Sequence, residues 1–282
     1  MHTIKTNLVP IFICTRRISG SLVLAIAVTL LHQDATATPV AVNLGSASSF
    51  GVLAGSGITV AGAVNSTTIN GNIGTFPTTS ITGLGNVVLN GVNHGGDGVT
   101  QNAKNDLSTA FSAAIGQSAT MSYTPGSDLG GLTLTAGVYD DPTSFGLTGT
   151  LTLDAKGNPN AVFIIQTGSS LITASGSSVA LINGAQACNV FWVVGSSATL
   201  GTDTDFMGTV MALTSITADT GATVDGSLLA ENGAVTLDDN TVTMPACEVV
   251  SSVPDVYATL PLLGFGLAAF CVFKRRLLSV EG

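Results

Sequence analysis

Four stretches decide the fold: Leu171-Ile-Thr-Ala-Ser-Gly-Ser-Ser-Val179, Ala198-Thr-Leu-Gly-Thr-Asp-Thr-Asp-Phe206, Ile216-Thr-Ala-Asp-Thr-Gly-Ala-Thr-Val224 and Ala234-Val-Thr-Leu-Asp-Asp-Asn-Thr-Val242. Each opens on a short β-like piece, passes through small polar residues and closes on an apolar one. Corresponding positions recur at about 18–27 residues, close to the period of a solenoid coil. Further short pieces belong with them: Ala161-Val-Phe-Ile-Ile165, Phe191-Trp-Val-Val194, Thr209-Val-Met-Ala-Leu213 and Gly226-Ser-Leu-Leu-Ala230. Strand side chains alternate between two faces, so Val, Leu, Ile, Phe and Ala can stack inward while Thr, Ser and Asp ladder outward. Gly, Asn and Asp fall where the coil turns corners and φ is positive. A sandwich would also use short strands, but it would not need this repeat.

One segment breaks the pattern. Between Val99 and Ser122, the residues Ala103, Leu107, Ala110, Phe111 and Ala114 form one apolar helical face. A helix over about 99–122 is predicted, entered from the loop Asn93-His-Gly-Gly-Asp-Gly98 and lying along the solenoid, with Phe111 in the core.

Composition removes several functions. Residues 38–255 hold two lysines, Lys104 and Lys156, no arginine, and 15 acidic residues, a net charge of 2 − 15 = −13. Phosphate binding needs clustered cations, so nucleic acid is not a partner. His94 is the single histidine in this stretch, which argues against a histidine-based metal or acid–base centre. Adjacent pairs such as Asp140-Asp141 and Asp238-Asp239 point to opposite strand faces and make poor dyads. Asp203 and Asp205 share a face but fall short of the six to eight oxygens that calcium takes. No catalytic residue, metal or cofactor is expected, and the protein is read as a non-enzyme.

The two ends read as addresses. Residues 1–37 have the form of a secretory signal: Lys5, Arg16 and Arg17, an apolar run from Ser21 to Leu31, then Ala35-Thr36-Ala37 as the cleavage pattern. Residues 38–247 form the expected domain and 248–255 a linker. Residues 256–273 are apolar and about long enough to span a bilayer. The tail 274–282 opens on Lys274-Arg275-Arg276. With Cys14 in the signal and Cys271 in the apolar run, Cys188 and Cys247 remain as a pair. In an oxidising compartment they are expected to bridge, closing a loop worth roughly 3–4 kcal/mol in the chain-entropy model.

Two resemblances follow from these residues. Val253-Pro254-Asp255, the apolar run and the basic stop resemble the tripartite PEP-type sorting signals of Gram-negative bacteria, in their Val-Pro-Asp variant. This implies a membrane stage, a sorting protease as partner, and delivery to the cell surface, outer membrane or extracellular matrix. Val256-Tyr257 departs from the small residues usual after the Asp; a plain membrane anchor is the alternative. Residues 42–247 resemble the bacterial and fungal ice-binding family through Leu44-Gly-Ser-Ala-Ser-Ser-Phe-Gly-Val-Leu-Ala54, Ile69-Asn-Gly-Asn-Ile-Gly74, Leu129-Gly-Gly-Leu-Thr-Leu-Thr-Ala-Gly-Val-Tyr139, Leu147-Thr-Gly-Thr-Leu-Thr-Leu-Asp-Ala155 and Asn232-Gly-Ala-Val-Thr-Leu-Asp238. The resemblance implies a mainly β fold: a discontinuous right-handed triangular β-solenoid with one long α-helix packed alongside. It also implies an ice crystal surface as partner.

An ice face must be flat, regular and nearly uncharged. Rungs about 4.8 Å apart and alternate strand residues about 6.7 Å apart supply the lattice. Threonine suits it, because β-branching fixes χ1 and leaves little entropy to lose on docking. Some family members carry Thr-Ala/Gly-x-Thr/Asn there, and Thr217-Ala-Asp-Thr220 matches. The expected row is Thr148, Thr150, Thr173, Ser175, Thr202, Thr217 and Thr236. The repeats set Thr217 one place off Thr173 and Thr236, and a one-residue slip turns a side chain over. The alternative function is a non-catalytic adhesin or matrix scaffold on the same fold; a flattest face studded with carboxylates would favour it.

Overall fold

Short alternating runs of aliphatic and small polar residues wind into a three-sided parallel solenoid. The protein is described by a computed structural model over residues 38–248. Three parallel sheets make the sides, here A, B and C in the order the chain visits them. Phe50–Ala54, Gly57–Ala61 and Thr67–Asn70 form the first coil, one strand per side. Registers such as Phe191 on Thr209 and Phe163 on Val190 realise the short and long repeat expected from the sequence.

Coils are not stacked in chain order. The second coil (Asn72–Thr75, Ile81–Thr82, Val87–Leu89) closes one end of the solenoid on the first. The other edge of the first coil is met by the last: Leu228–Ala230, Ala234–Asp238 and Thr241–Thr243. From there the coils run back through the sequence towards Met121–Ser122 and Thr133–Thr135 at the far end. This is the discontinuous solenoid that the sequence implied.

Aliphatic side chains from all three sides fill the interior, from Ile58 and Ile69 to Leu151, Ile216, Leu237 and Val242. Trp192 and Phe206 stack inside with ring centroids 4.8 Å apart, and the indole Nε1 donates to the Met207 carbonyl at 3.0 Å. Such a handle is what lets an indole be buried. Asn240, also fully buried, donates through Nδ2 to the Asp219 and Ala222 carbonyls.

Helix α1, Gly98–Ile115, covers side A. Asp97 caps it, its carboxylate accepting from the Val99 and Thr100 amides, so the Gly-Asp-Gly loop is a helix start. Ala103, Leu107, Ala110 and Ala114 pack on the outer face of side A against Leu53, Ile164, Phe191, Val193, Met211 and Leu229. The small alanines let the helix approach the sheet closely. Phe111 is only half-buried at the margin of this layer. The expected extent to 122 is corrected: the helix stops at Ile115, with Gly116 as its C-cap. Met121–Ser122 instead pairs with Gly137–Asp141, whose open edge draws those residues out of the helix. Lys104, the one buried lysine among the described residues, donates from Nζ to the carbonyls of Ala230 and Glu231 where side A turns into side B. Burial pushes its ammonium pKa down, opposed by Glu231, whose carboxylate lies 3.6 Å away.

Cys188 and Cys247 are bridged, as expected, with Cα atoms 5.5 Å apart. The signal region 1–37, the motif Val253-Pro254-Asp255, the apolar run 256–273 and the tail 274–282 lie outside the described residues. Among the described residues no helix is long and apolar enough to cross a membrane.

Candidate functional site

Among the described residues, side B carries an outward column of threonines with no carboxylate among them. Side A is under the helix. Side C presents Thr150, Ser178, Asp205, Thr223, Thr241 and Thr68 in one outward column, and its neighbour carries Asp225 between Met207 and Thr243. Burial, and then the negative Asp205, push the Asp225 carboxyl above its ordinary pKa. Polar groups on this side are largely engaged with each other. Thr150 and Ser178 share a hydroxyl–hydroxyl bond of 2.8 Å, Thr223 donates to Asp205 at 3.1 Å, and Asn70 donates to Thr243 at 2.9 Å.

Side B is different. Its central outward column reads Thr82, Thr59, Thr236, Thr217, Thr199, Ile172 and Gly146 on successive coils. Five threonines thus stand in line over about 19 Å at the ordinary rung spacing. The residues directly before and after four of these threonines, Thr59, Thr236, Thr217 and Thr199, point inward: Ile58 and Val60, Val235 and Leu237, Ile216 and Ala218, Ala198 and Leu200. That alternation locks the threonines outward. Thr82 donates to Thr59 at 3.3 Å. The hydroxyls of Thr236, Thr217 and Thr199 are left to solvent, and the column holds no carboxylate.

A second, lower column flanks it towards side A. Gly57 pairs with Ala234, and serines continue the line. Ser215 Oγ accepts from the Ala234 amide, Ser197 Oγ from Ser215, and Ser144 Oγ from Ser170. These hydroxyls fold back onto the backbone. Charge stands at the edges of side B: Asp238 ends its strand in register with Ala61, Asp219 follows at the B-to-C turn with Thr220 donating to Asp238, and Asp128 forms a β-bridge with Gly146 at the far end.

The seven residues expected to form one row fall in four places. Thr217 and Thr236 are partners on side B. Thr150 begins a strand of side C. Thr148, Ser175 and Thr202 occupy the B-to-C turns of three coils, off the flat face. Thr173 is corrected: it points inward, 4% exposed, accepting from the Gly201 amide and bonded to the Thr204 hydroxyl at 3.0 Å. The cause is a slip in the fourth repeat, where Val235, not Ala234, pairs with Ile216. Thr59, Thr82 and Thr199 were missed, although each follows an aliphatic or alanine residue as Thr217 does. Among the described residues, no three His, Cys, Asp or Glu side chains gather as metal ligands.

Fold and face together define a β-solenoid that offers, on side B, a regular column of threonines without carboxylates. Residues 52–243 match the Ice-binding-like family, and the chain belongs to that family. It is 44% identical over 264 residues to an ice-binding protein of Nostoc sp. (strain HG1), covering 91% of this chain and 95% of that one. An ice-binding protein of Colwellia sp is 35% identical over 74% of this chain and 86% of its own. Among solved structures, the ice-binding protein of the Antarctic ascomycete Antarctomyces psychrotrophicus superposes with a TM-score of 0.68 and 45% identity, covering 73% of this chain and 98% of that one.

Proposed function

We propose that this protein binds ice through side B, as a non-catalytic, exported protein held at the cell surface or released from it. The observation that carries the reading is the Thr59–Thr236–Thr217–Thr199 column: evenly stepped, free of carboxylates, its rotamers fixed by β-branching and its central hydroxyls without protein partners. Each methyl beside its hydroxyl favours a water held in one place over one that exchanges partners freely. A scaffold without an ice face would be expected to stud its flattest side with carboxylates; on side B, Asp219, Asp238 and Asp128 stand at the edges of the threonine column, while Asp205 and Asp225 face outward within side C. Export and surface attachment are supported by the sequence features of residues 1–37 and 253–282 alone.

The test is Thr217→Tyr in purified protein, scored by inhibition of ice recrystallisation. Thr217 is outward and half-exposed, so the ring can stand into solvent without disturbing the core. Activity is expected to fall sharply with the melting temperature nearly unchanged. Full activity in the folded variant would move the ice contact to another side.

A further inference from the structure

Pulled from its C-terminus, this fold would have a weak point in its own last strand. Thr241–Thr243 is three residues long and lies inside side C, between Thr223–Asp225 and Thr67–Asn70. Tension on the chain after Thr243 would strip that strand first, and then Ala234–Asp238, which carries Thr236. Both strands join the last coil to the first. Their loss would cut the threonine column between Thr217 and Thr59.

The covalent path blocks this. After Thr243 the chain follows the C-to-A corner as a strap, Met244–Glu248, with Pro245 and Cys247 beside Thr209 and Ser227 at successive turns of that corner. It is riveted by the bridge to Cys188, in the short turn Ala187–Asn189 before the strand Val190–Val194. Glu248 donates its amide to Gln186 Oε1 at 2.6 Å just beyond. Traction at Glu248 therefore reaches Cys247 and Cys188 together. Both arms of the closed loop share it, and the last strand cannot be drawn out. Thr199, Thr217 and Thr236 all lie within that loop, and the C-to-A corner is the edge opposite side B.

We propose that the Cys188–Cys247 bridge and its strap make this domain a load-bearing ice anchor. Force applied through the C-terminus enters at the edge opposite the ice face, and the thiol–disulfide state of the pair sets how much the domain withstands. The proposal rests on the reading of side B as the ice face. Cys247 is exposed, so a soluble reductant can reach the bridge.

The experiment couples the full-length chain to beads through a biotin at its C-terminus and measures the force that detaches beads from a single ice crystal. Wild type is compared before and after dithiothreitol, alongside the Cys188→Ser/Cys247→Ser double variant. Reduction or substitution is expected to lower the detachment force several-fold. The same proteins held by an N-terminal biotin should detach at unchanged force, and recrystallisation inhibition in free solution should be retained, which shows that the unbridged domain is folded. Equal detachment forces with and without the bridge, under C-terminal load, would overturn the proposal. So would a loss that is the same from either end, or a loss of inhibition in solution, because either marks general destabilisation. An oxidised protein with no recrystallisation inhibition at all would instead refute the ice reading, and the anchor with it.

Discussion

Thr173 and Thr217 carry the same side chain and face opposite ways. Thr173 is a core residue whose hydroxyl satisfies the buried Gly201 amide. Thr173→Val keeps the shape and removes that acceptor; leaving a buried amide unpaired costs about 1–3 kcal/mol. The denaturation midpoint should fall accordingly, with ice activity per folded molecule unchanged. The reverse pattern belongs to carboxylates on the outside. Thr199→Asp places a charge, with its own tightly held water, within the side B threonine column beside Thr217, whereas Thr223→Asp adds one where Asp205 already stands. Recrystallisation assays should show a large loss for the first and almost none for the second. Asp154 sets part of the acid limit. Hydrogen bonds from the Lys156 and Asn183 side chains and from the Lys156 amide hold its pKa down at about 2, against an ordinary 3.8. A carboxyl lowered on folding stabilises fully above its unfolded pKa and stops doing so as pH falls through the folded one. Stability should therefore drop between about pH 4 and pH 2, and less steeply in Asp154→Asn. Acid titration of the two proteins, followed by circular dichroism, checks this.

At the scale of elements, helix α1 holds to side A by few residues. Leu107 is its largest buried apolar side chain, and Leu107→Ala should cost about 2–5 kcal/mol, the range for such cavities. Asp97→Ala, which removes the cap, should cost about 1 kcal/mol. Chemical denaturation separates the two, and neither should alter side B. The helix start was legible because its signals are local: a glycine-rich loop followed by apolar residues at helical spacing. Its end was not, since Met121–Ser122 is drawn away by an edge strand distant in sequence. The coil repeat was legible for the same local reason, and three of the four aligned stretches share the register read from them: Leu171 pairs with Ala198 and Ala198 with Ile216. The fourth slipped because Ala234 and Val235 are both apolar, so alternation alone fits either start. That slip joined Thr173 to Thr236 and hid the column that Thr236 shares with Thr217. Thr59 and Thr82 were out of reach for another reason. They enter the column through pairing of the first coil with the last, which no local pattern encodes.

Over the whole molecule, the three sides divide their tasks: A packs under the helix, C bonds within itself, and B is left open. The closed loop contributes to this at equilibrium as well as under load. A bridge spanning 59 residues should stabilise by roughly 3–4 kcal/mol, so the double serine variant should melt lower by that amount while remaining folded in the cold. The order of the coils has a further consequence, for synthesis. Phe50–Ala54 emerges from the ribosome long before one of its two neighbours, Leu228–Ala230. Until then the first coil shows an unpaired edge and half an apolar interior, and N-terminal segments of such a chain are sticky. The nascent protein cannot settle coil by coil as a simple repeat would. Its first coil must wait for Leu228–Ala230, Ala234–Asp238 and Thr241–Thr243, and until these are made the chain stays open enough to be passed, unfolded, through a narrow channel or held by a chaperone.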